Sequence, residues 1–186
     1  MRRVAIALVH HPVVDAQGAT VTTAITNLDI HDLARSARTF GVGDYFIVHP
    51  IAAQRELVDR ICAHWAEGSS GRRIPDRKLA LALVRVVDSL DAAVAAMGGR
   101  DAVDVWVTAA RDVAPPIHFA EARASIEGEG KAILLVFGTG WGLARSVIDG
   151  ADATLEPVRA ARAGYNHLSV RAAGAIILDR LFGARG

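Results

Sequence analysis

Short apolar runs over residues 4–9, 44–48, 83–87, 103–107 and 132–137 punctuate the chain, several of them almost unbroken. Runs of this length rich in Val, Ile and Leu predict strands, and strands apolar on both faces must be covered on both faces. Between them, apolar positions recur at helical spacing over 29–40, 51–66, 89–97, 117–127 and 143–149, with a last helix over 168–182. The alternation predicts an α/β fold: a mostly parallel sheet flanked by helices on both faces.

Within the 29–40 helix, Ile30, Leu33, Ala34, Ala37 and Phe40 fall on one face, and Gly41 follows as a C-terminal stop. His31, Arg35 and Arg38 form a stripe away from that face. It reads either as a solvated exterior balanced by Asp29 and Asp32 or as a working surface. Residues 67–78, with Gly68-Ser69-Ser70-Gly71 and Arg72-Arg73, predict a mobile loop, and 21–26 is either a short strand or an irregular lead-in. The 168–178 stretch is apolar or small all round, which predicts a buried helix and a homodimer formed through it.

The chain has 186 residues, 52% of them hydrophobic, and 21 Lys plus Arg against 20 Asp plus Glu. That balance excludes disorder and fits one domain, 1–186, able to bury its own core without a structural metal. The single cysteine, Cys62, cannot form an internal bridge, which suits a reducing compartment. Arg2-Arg3 and the 4–9 run are too short for a signal peptide, and no segment has the ~20 apolar residues of a membrane span, so a soluble cytoplasmic protein is expected. A net charge of +1 gives no support for nucleic-acid binding. Only Lys78 and Lys131 are lysines, however, and many of the arginines fall in the segments just described.

The 132–137 strand runs directly into Gly138-Thr139-Gly140-Trp141-Gly142-Leu143. Alternating glycines after a strand permit positive φ and close backbone approach to a nucleotide. The spacing is GxGxG, not the dinucleotide GxGxxG, and no Gly-Lys-Ser or Gly-Lys-Thr of a P-loop occurs. Alone, the turn could equally serve only the fold.

Three pieces in order are more specific: Asn27, Arg35 and Gly41 around the first helix; Leu134 to Leu143; and Thr154-Leu155-Glu156-Pro157 followed by Tyr165-Asn166-His167-Leu168-Ser169-Val170. Together they resemble the SPOUT superfamily of RNA methyltransferases, and more narrowly a small bacterial group of stand-alone SPOUT proteins. The departures are a longer stretch between Asn27 and Arg35, Tyr165 and His167 in place of Ser and Asn in the third motif, and no acidic residue in the second-motif loop. The resemblance implies a C-terminal trefoil knot, S-adenosylmethionine as cofactor, RNA (tRNA or rRNA) as partner, methylation of a guanine ring nitrogen or a ribose oxygen, and no metal. It implies a cofactor site at Thr108, Ala109, Phe137, Gly138, Thr139, Gly140, Trp141, Gly142, Leu155, Pro157, Tyr165, Asn166, His167 and Leu168. Arg35, Asn27 and His31 are the candidate catalytic residues. RNA would meet Arg35, Arg38, Arg72, Arg73, Arg77, Lys78, Arg159 and Arg162. The rival readings are a non-catalytic knotted binding module and a Rossmann-like oxidoreductase.

Overall fold

The computed structural model describes residues 1–162 and 164–184. Strand β1 (Val4–Val9) leads through a small hairpin, β2 (Val13–Val14) and β3 (Thr20–Val21), into α1 (Asn27–Thr39) and β4 (Asp44–Val48). Then come α2 (Ala52–Glu67), α3 (Ser69–Arg73), α4 (Pro75–Leu81), β5 (Val84–Val87), α5 (Leu90–Ala96) and β6 (Val103–Val107). The chain continues through α6 (Phe119–Glu127), β7 (Ala132–Gly138), α7 (Arg145–Asp149) and β8 (Ala153–Thr154) to α8 (Val170–Phe182).

Six strands form one sheet in the order β5-β4-β1-β7-β6-β8, and every pair is parallel. Central β1 sets Leu8 opposite Ile47 on one side and Phe137 on the other. Its side chains alternate between two cores. Ile6, Leu8, Tyr45, Ile47, Leu135 and Phe137 pack with α1, α2, α4, α6 and α8, while Ala5, Ala7, Phe46, Val48, Leu134 and Val136 pack with α5 and α7. The sheet is therefore covered on both faces, as its apolar strands require. The 21–26 stretch begins at the end of a two-residue strand and is otherwise irregular.

Helix α1 begins at Thr26, whose side chain accepts from the Asp29 amide, and buries Ile30, Leu33, Ala34 and Ala37. It ends at Gly41, with φ +73°, where the Val42 amide donates to the Ala37 carbonyl at 2.9 Å. That pairing satisfies a carbonyl the last turn would leave open.

One expectation needs correction. Residues 67–78 are not a loop: they supply α3 and most of α4, wrapped around Trp65. A Cβ on Gly71 would sit 2.0 Å from the Trp65 carbonyl oxygen, and Arg77 lies over the Trp65 ring at 5.0 Å. The polar composition hid this because the segment packs on one aromatic side chain outside it, and the buried residues of α4, Ala80 and Leu81, come only after it. Helix α8 is buried on only one face in the single chain, through Gly174, Ile177, Leu178 and Leu181. A Cβ on Gly174 would come within 2.6 Å of Leu33, so the glycine lets α8 approach α1 closely. Ala172, Ala173, Ala175 and Ile176 stay half-buried.

At the edge where the strands begin, Arg2 pairs with Asp104, and Asp44 holds both Arg3 and Arg85, the latter at 2.6 Å. Met1, Phe40, Leu181 and Phe182 line one cleft of about 320 Å³ at this edge.

Candidate active site

In a parallel sheet all strands end on the same edge, so the turns leaving β1, β6 and β7 converge there. The turn after β7 rests on β1: the Thr139 amide and hydroxyl both donate to the Val9 carbonyl, at 3.2 and 3.1 Å. The segment around the β2–β3 hairpin closes over the turn. Trp141 donates its amide to the Val14 carbonyl at 3.0 Å, Val14 to Gly142 at 2.9 Å, and Ala144 to Pro12 at 3.1 Å.

This clamp explains two of the three glycines. A Cβ on Gly138 would meet the Leu143 amide nitrogen at 2.7 Å, and Gly140, at φ +61°, has the Val14 carbonyl oxygen 3.2 Å from the Cβ position. Both glycines answer first to neighbouring backbone within the protein. Only Gly142, with nothing within 4 Å of its Cβ position, borders open space. Sequence reasoning missed the hairpin's part because its short strands carry no periodicity.

Beneath the clamp lies a buried polar network. His10 has no exposure, and its Nδ1 sits 3.0 Å from the Thr23 hydroxyl, which in turn meets the Thr139 hydroxyl. Since Thr139 donates to Val9, Thr23 donates to Thr139 and accepts from His10, which fixes the Nδ1–H tautomer. His10 Nε2 has no protein partner. Burial, reinforced by neighbouring His49, pushes the His10 pKa down to about 4. His49 Nε2 contacts the Thr23 carbonyl at 3.0 Å, and its Nδ1 accepts the Ile51 amide at 3.1 Å.

At the end of β6, the Thr108 hydroxyl donates to the Val136 carbonyl at 3.0 Å. The loop that follows is tied to the segment after β8. Asn166 donates to the Ala110 carbonyl at 2.8 Å, Arg159 pairs with Asp112, and the Ile117 amide donates to the Thr154 carbonyl at 2.8 Å. Glu156 accepts the Phe119 amide and contacts His118 at 3.1 Å. Leu155 and Pro157 are buried beneath this seam, whereas Trp141, Tyr165 and Leu168 are among the most exposed large apolar side chains. The His167 ring lies 6.2 Å from those of both Trp141 and Tyr165. Phe137 turns its ring into the core, so only its backbone borders the turn.

The structure thus groups the expected cofactor residues around the ends of β6 and β7 and the seam beyond β8. Exposed aromatic rings beside backbone carbonyls and an open Gly142 suit an adenine ring and a sulfonium cation. The donor set fits S-adenosylmethionine.

The three candidate catalytic residues separate. Asn27 occupies the exposed first turn of α1 and, with His31, lines a cleft against α2 and α4. Arg35 is exposed and lines a groove with Ser169 and Arg171 at the head of α8. Arg171 was missed in the sequence, although the lone charge in the apolar stretch 168–178 was a usable signal. It reaches buried Asp29 at 2.7 Å and Asp32 at 3.7 Å. Asp29 also accepts the Thr26 hydroxyl at 2.6 Å, so it is a cap and ion-pair residue.

Among the described residues, Arg35, Arg38, Arg60, Arg72, Arg73, Arg77 and Lys78 make no salt bridge, whereas Arg2, Arg3, Arg85, Arg100, Arg145, Arg159 and Arg171 all do. Most of the unpaired cations gather on α1 to α4, with Arg111, Arg162 and Arg180 unpaired elsewhere. The expected RNA-facing Arg159 is instead engaged by Asp112. Among the described residues, no cluster of His, Cys, Asp and Glu able to hold a metal occurs and no helix is long and apolar enough to cross a membrane.

A parallel sheet with a clamped glycine turn and exposed aromatics at its strand ends, beside unpaired arginines, defines an α/β protein whose strand ends suit a nucleotide-like cofactor and an anionic partner. The chain belongs to the family described as SAM-dependent RNA methyltransferase, which it matches over residues 3–183. It is 45% identical over 179 residues to the tRNA (guanine-N(1)-)-methyltransferase of Nitratidesulfovibrio vulgaris, covering 95% of this chain and 41% of that protein. It therefore spans about two fifths of that relative's length. A second relative, an uncharacterized protein of Aquifex aeolicus, is 38% identical over 180 residues, covering 95% of this chain and 87% of its own. The crystal structure of the A. aeolicus TrmH/SpoU tRNA modifying enzyme shares the fold, with a TM-score of 0.59 and 14% identity over 97% of this chain and 74% of that one. The resemblance to RNA methyltransferases and S-adenosylmethionine as the family's cofactor are thereby borne out.

Proposed function

We propose that residues 1–186 act as one methyltransferase unit that moves a methyl group from S-adenosylmethionine to RNA of the tRNA class. The observation that carries this is the family match across almost the whole chain, and the strand-end turn, the exposed aromatic group and the free cations support it. The printed name of the 45% identical relative supports the tRNA class. Its guanine-N1 chemistry belongs to a protein more than twice as long as the matched segment.

The cofactor supplies an electrophilic methyl on its sulfonium, which leaves the protein to align the reactants and manage one proton. Gly142, Trp141, Tyr165, His167 and Leu168 would hold the cofactor, with Thr108 and Ala109 at the end of β6 and the clamped Gly138–Gly140 backbone fixing the turn. Arg35 would hold the RNA phosphate, because a guanidinium with a pKa above ~12 is a poor base and a good anion partner. The C-terminal segment would be threaded as a trefoil knot. A second copy would cover the half-buried residues Ala172, Ala175 and Ile176 of α8. An RNA substrate of this class places the work in the cytoplasm.

The test is calorimetric titration with S-adenosylmethionine and NAD, followed by transfer of labelled methyl to bulk tRNA and rRNA. Micromolar binding of the former and labelling of tRNA are expected. Binding of NAD alone would sink the reading, and cofactor binding without transfer would make the chain a binding module. Nucleoside mass spectrometry then separates a guanine product from a ribose one.

A further inference from the structure

A second site stands outside the cofactor region. The cleft between α1, α2 and α4 has a volume of about 540 Å³ and is lined by Leu28, His31, Arg60, His64, Trp65 and Arg77 among others. We infer that it seats one unstacked nucleotide of the RNA substrate, beside the methylated one, with the base against Trp65 and His31 and the phosphate on Arg60 and Arg77. This rests on the RNA methyltransferase reading above.

Three observations support the assignment. First, the walls are aromatic and cationic together. His31 meets Trp65 edge-on with centroids 5.4 Å apart, His64 does so at 6.1 Å, and the Arg77 guanidinium covers the indole at 5.0 Å. Aromatic rings beside unpaired arginines are what single-stranded nucleic acid selects, since every base has a π face and every linkage a charge. Second, two buried polar atoms lining the cleft, His31 Nδ1 and Arg77 Nε, have no protein partner. Buried polar atoms left unmatched are costly, so each wants a group from outside. Burial, then Arg77 and Arg35, hold the His31 pKa below its ordinary value, so near neutral pH the ring offers one donor and one acceptor to a base edge.

Third, the cleft continues toward the cofactor. Arg77 also lines a neighbouring groove with Arg35 and Arg38, and Arg35 lines the next one with Ser169 and Arg171. Arg77 and Arg35 thus mark a cationic track from the Trp65 cleft to the head of α8. The volume lies within the range of ligand pockets, ~300–1,000 Å³. A protein partner is the weaker reading, because it leaves this run of unpaired cations without a role.

The test uses the full chain with fluorescein-labelled total tRNA, with 5′-AMP as a free-nucleotide arm and S-adenosylmethionine titration as the control. Arg60→Ala and Trp65→Leu should each weaken tRNA binding about tenfold, and Trp65→Phe, which keeps a stacking face, should recover most of the loss. Arg60→Ala should lower the salt slope by about one, Trp65→Leu should leave it unchanged, and cofactor affinity should hold throughout. If tRNA affinity survives Arg60→Ala and Trp65→Leu while the wild type still methylates, the subsite is wrong and the enzyme reading stands. Trp65-dependent AMP binding with unchanged tRNA affinity would also overturn the RNA assignment. A wild type that methylates no RNA removes both readings. Should Trp65→Leu lose its melting transition, Arg60→Ala, at an exposed residue without a salt bridge, decides the matter through affinity and salt slope.

Discussion

The Thr23 and Thr139 hydroxyls meet at 2.5 Å although 116 residues separate them in the chain. This contact joins the segment after the β2–β3 hairpin to the glycine turn, with buried His10 behind it. Thr139→Val removes the donor to Val9 and the acceptor for Thr23 together, and Thr23→Val strands His10 Nδ1. Each should cost about 1–3 kcal/mol, and the double variant less than the sum. Urea denaturation checks the cycle. Calorimetry should show weaker S-adenosylmethionine binding by Thr139→Val, because the turn loses its anchor.

Acid should loosen the same network. His10 titrates near 4 in the folded chain against an ordinary 6.5, so between those values the unfolded chain takes up the proton more readily. Stability from this group is full above pH 6.5 and is lost as pH falls toward 4. The whole shift corresponds to about 3 kcal/mol. His49, lowered chiefly by burial, acts in the same direction. Denaturant midpoints from pH 7.5 to 4.5 should fall steeply in the wild type and less in His10→Gln.

The glycines of the turn should rank by their surroundings. Gly138→Ala drives a methyl into the Leu143 backbone and should cost the most in melting temperature. Gly142→Ala meets no atom within 4 Å but keeps φ at +113°, so it should cost about 1–2 kcal/mol and act mainly on cofactor affinity. Thermal melts with and without S-adenosylmethionine separate the two effects.

Arg171 and Arg35 share one groove and should behave oppositely. Arg171→Met leaves the Asp29 carboxylate buried without its cation, a loss of about 2–3 kcal/mol given the partial exposure of the arginine. Arg35→Ala removes an exposed side chain with no acid partner and should shift stability by less than about 0.5 kcal/mol. Methyl transfer to tRNA should nevertheless be abolished in Arg35→Ala, with cofactor affinity retained. Equal loss of stability in both variants would assign Arg35 to the scaffold.

What could be read in advance follows from how each feature is encoded. The five longer strands were legible as continuous apolar runs, the two-residue β2, β3 and β8 were too short to show, and the end of α1 was legible because Gly41 is a local signal. The turn at 138–143 could be placed, but the reason for Gly138 and Gly140 could not, since Leu143 and Val14 act through backbone atoms that any residue carries. The α3–α4 segment was misread because its order depends on Trp65, which lies outside it. Arg171 and Thr23 belong to the same class: their partners, Asp29 and Thr139, are distant in sequence and invisible to periodicity.

The cleft shared by Met1 and Phe182 lies at the edge of the sheet where the strands begin, and the glycine turn lies at the edge where they end. Changes at that cleft therefore reach the glycine turn only along the length of the strands.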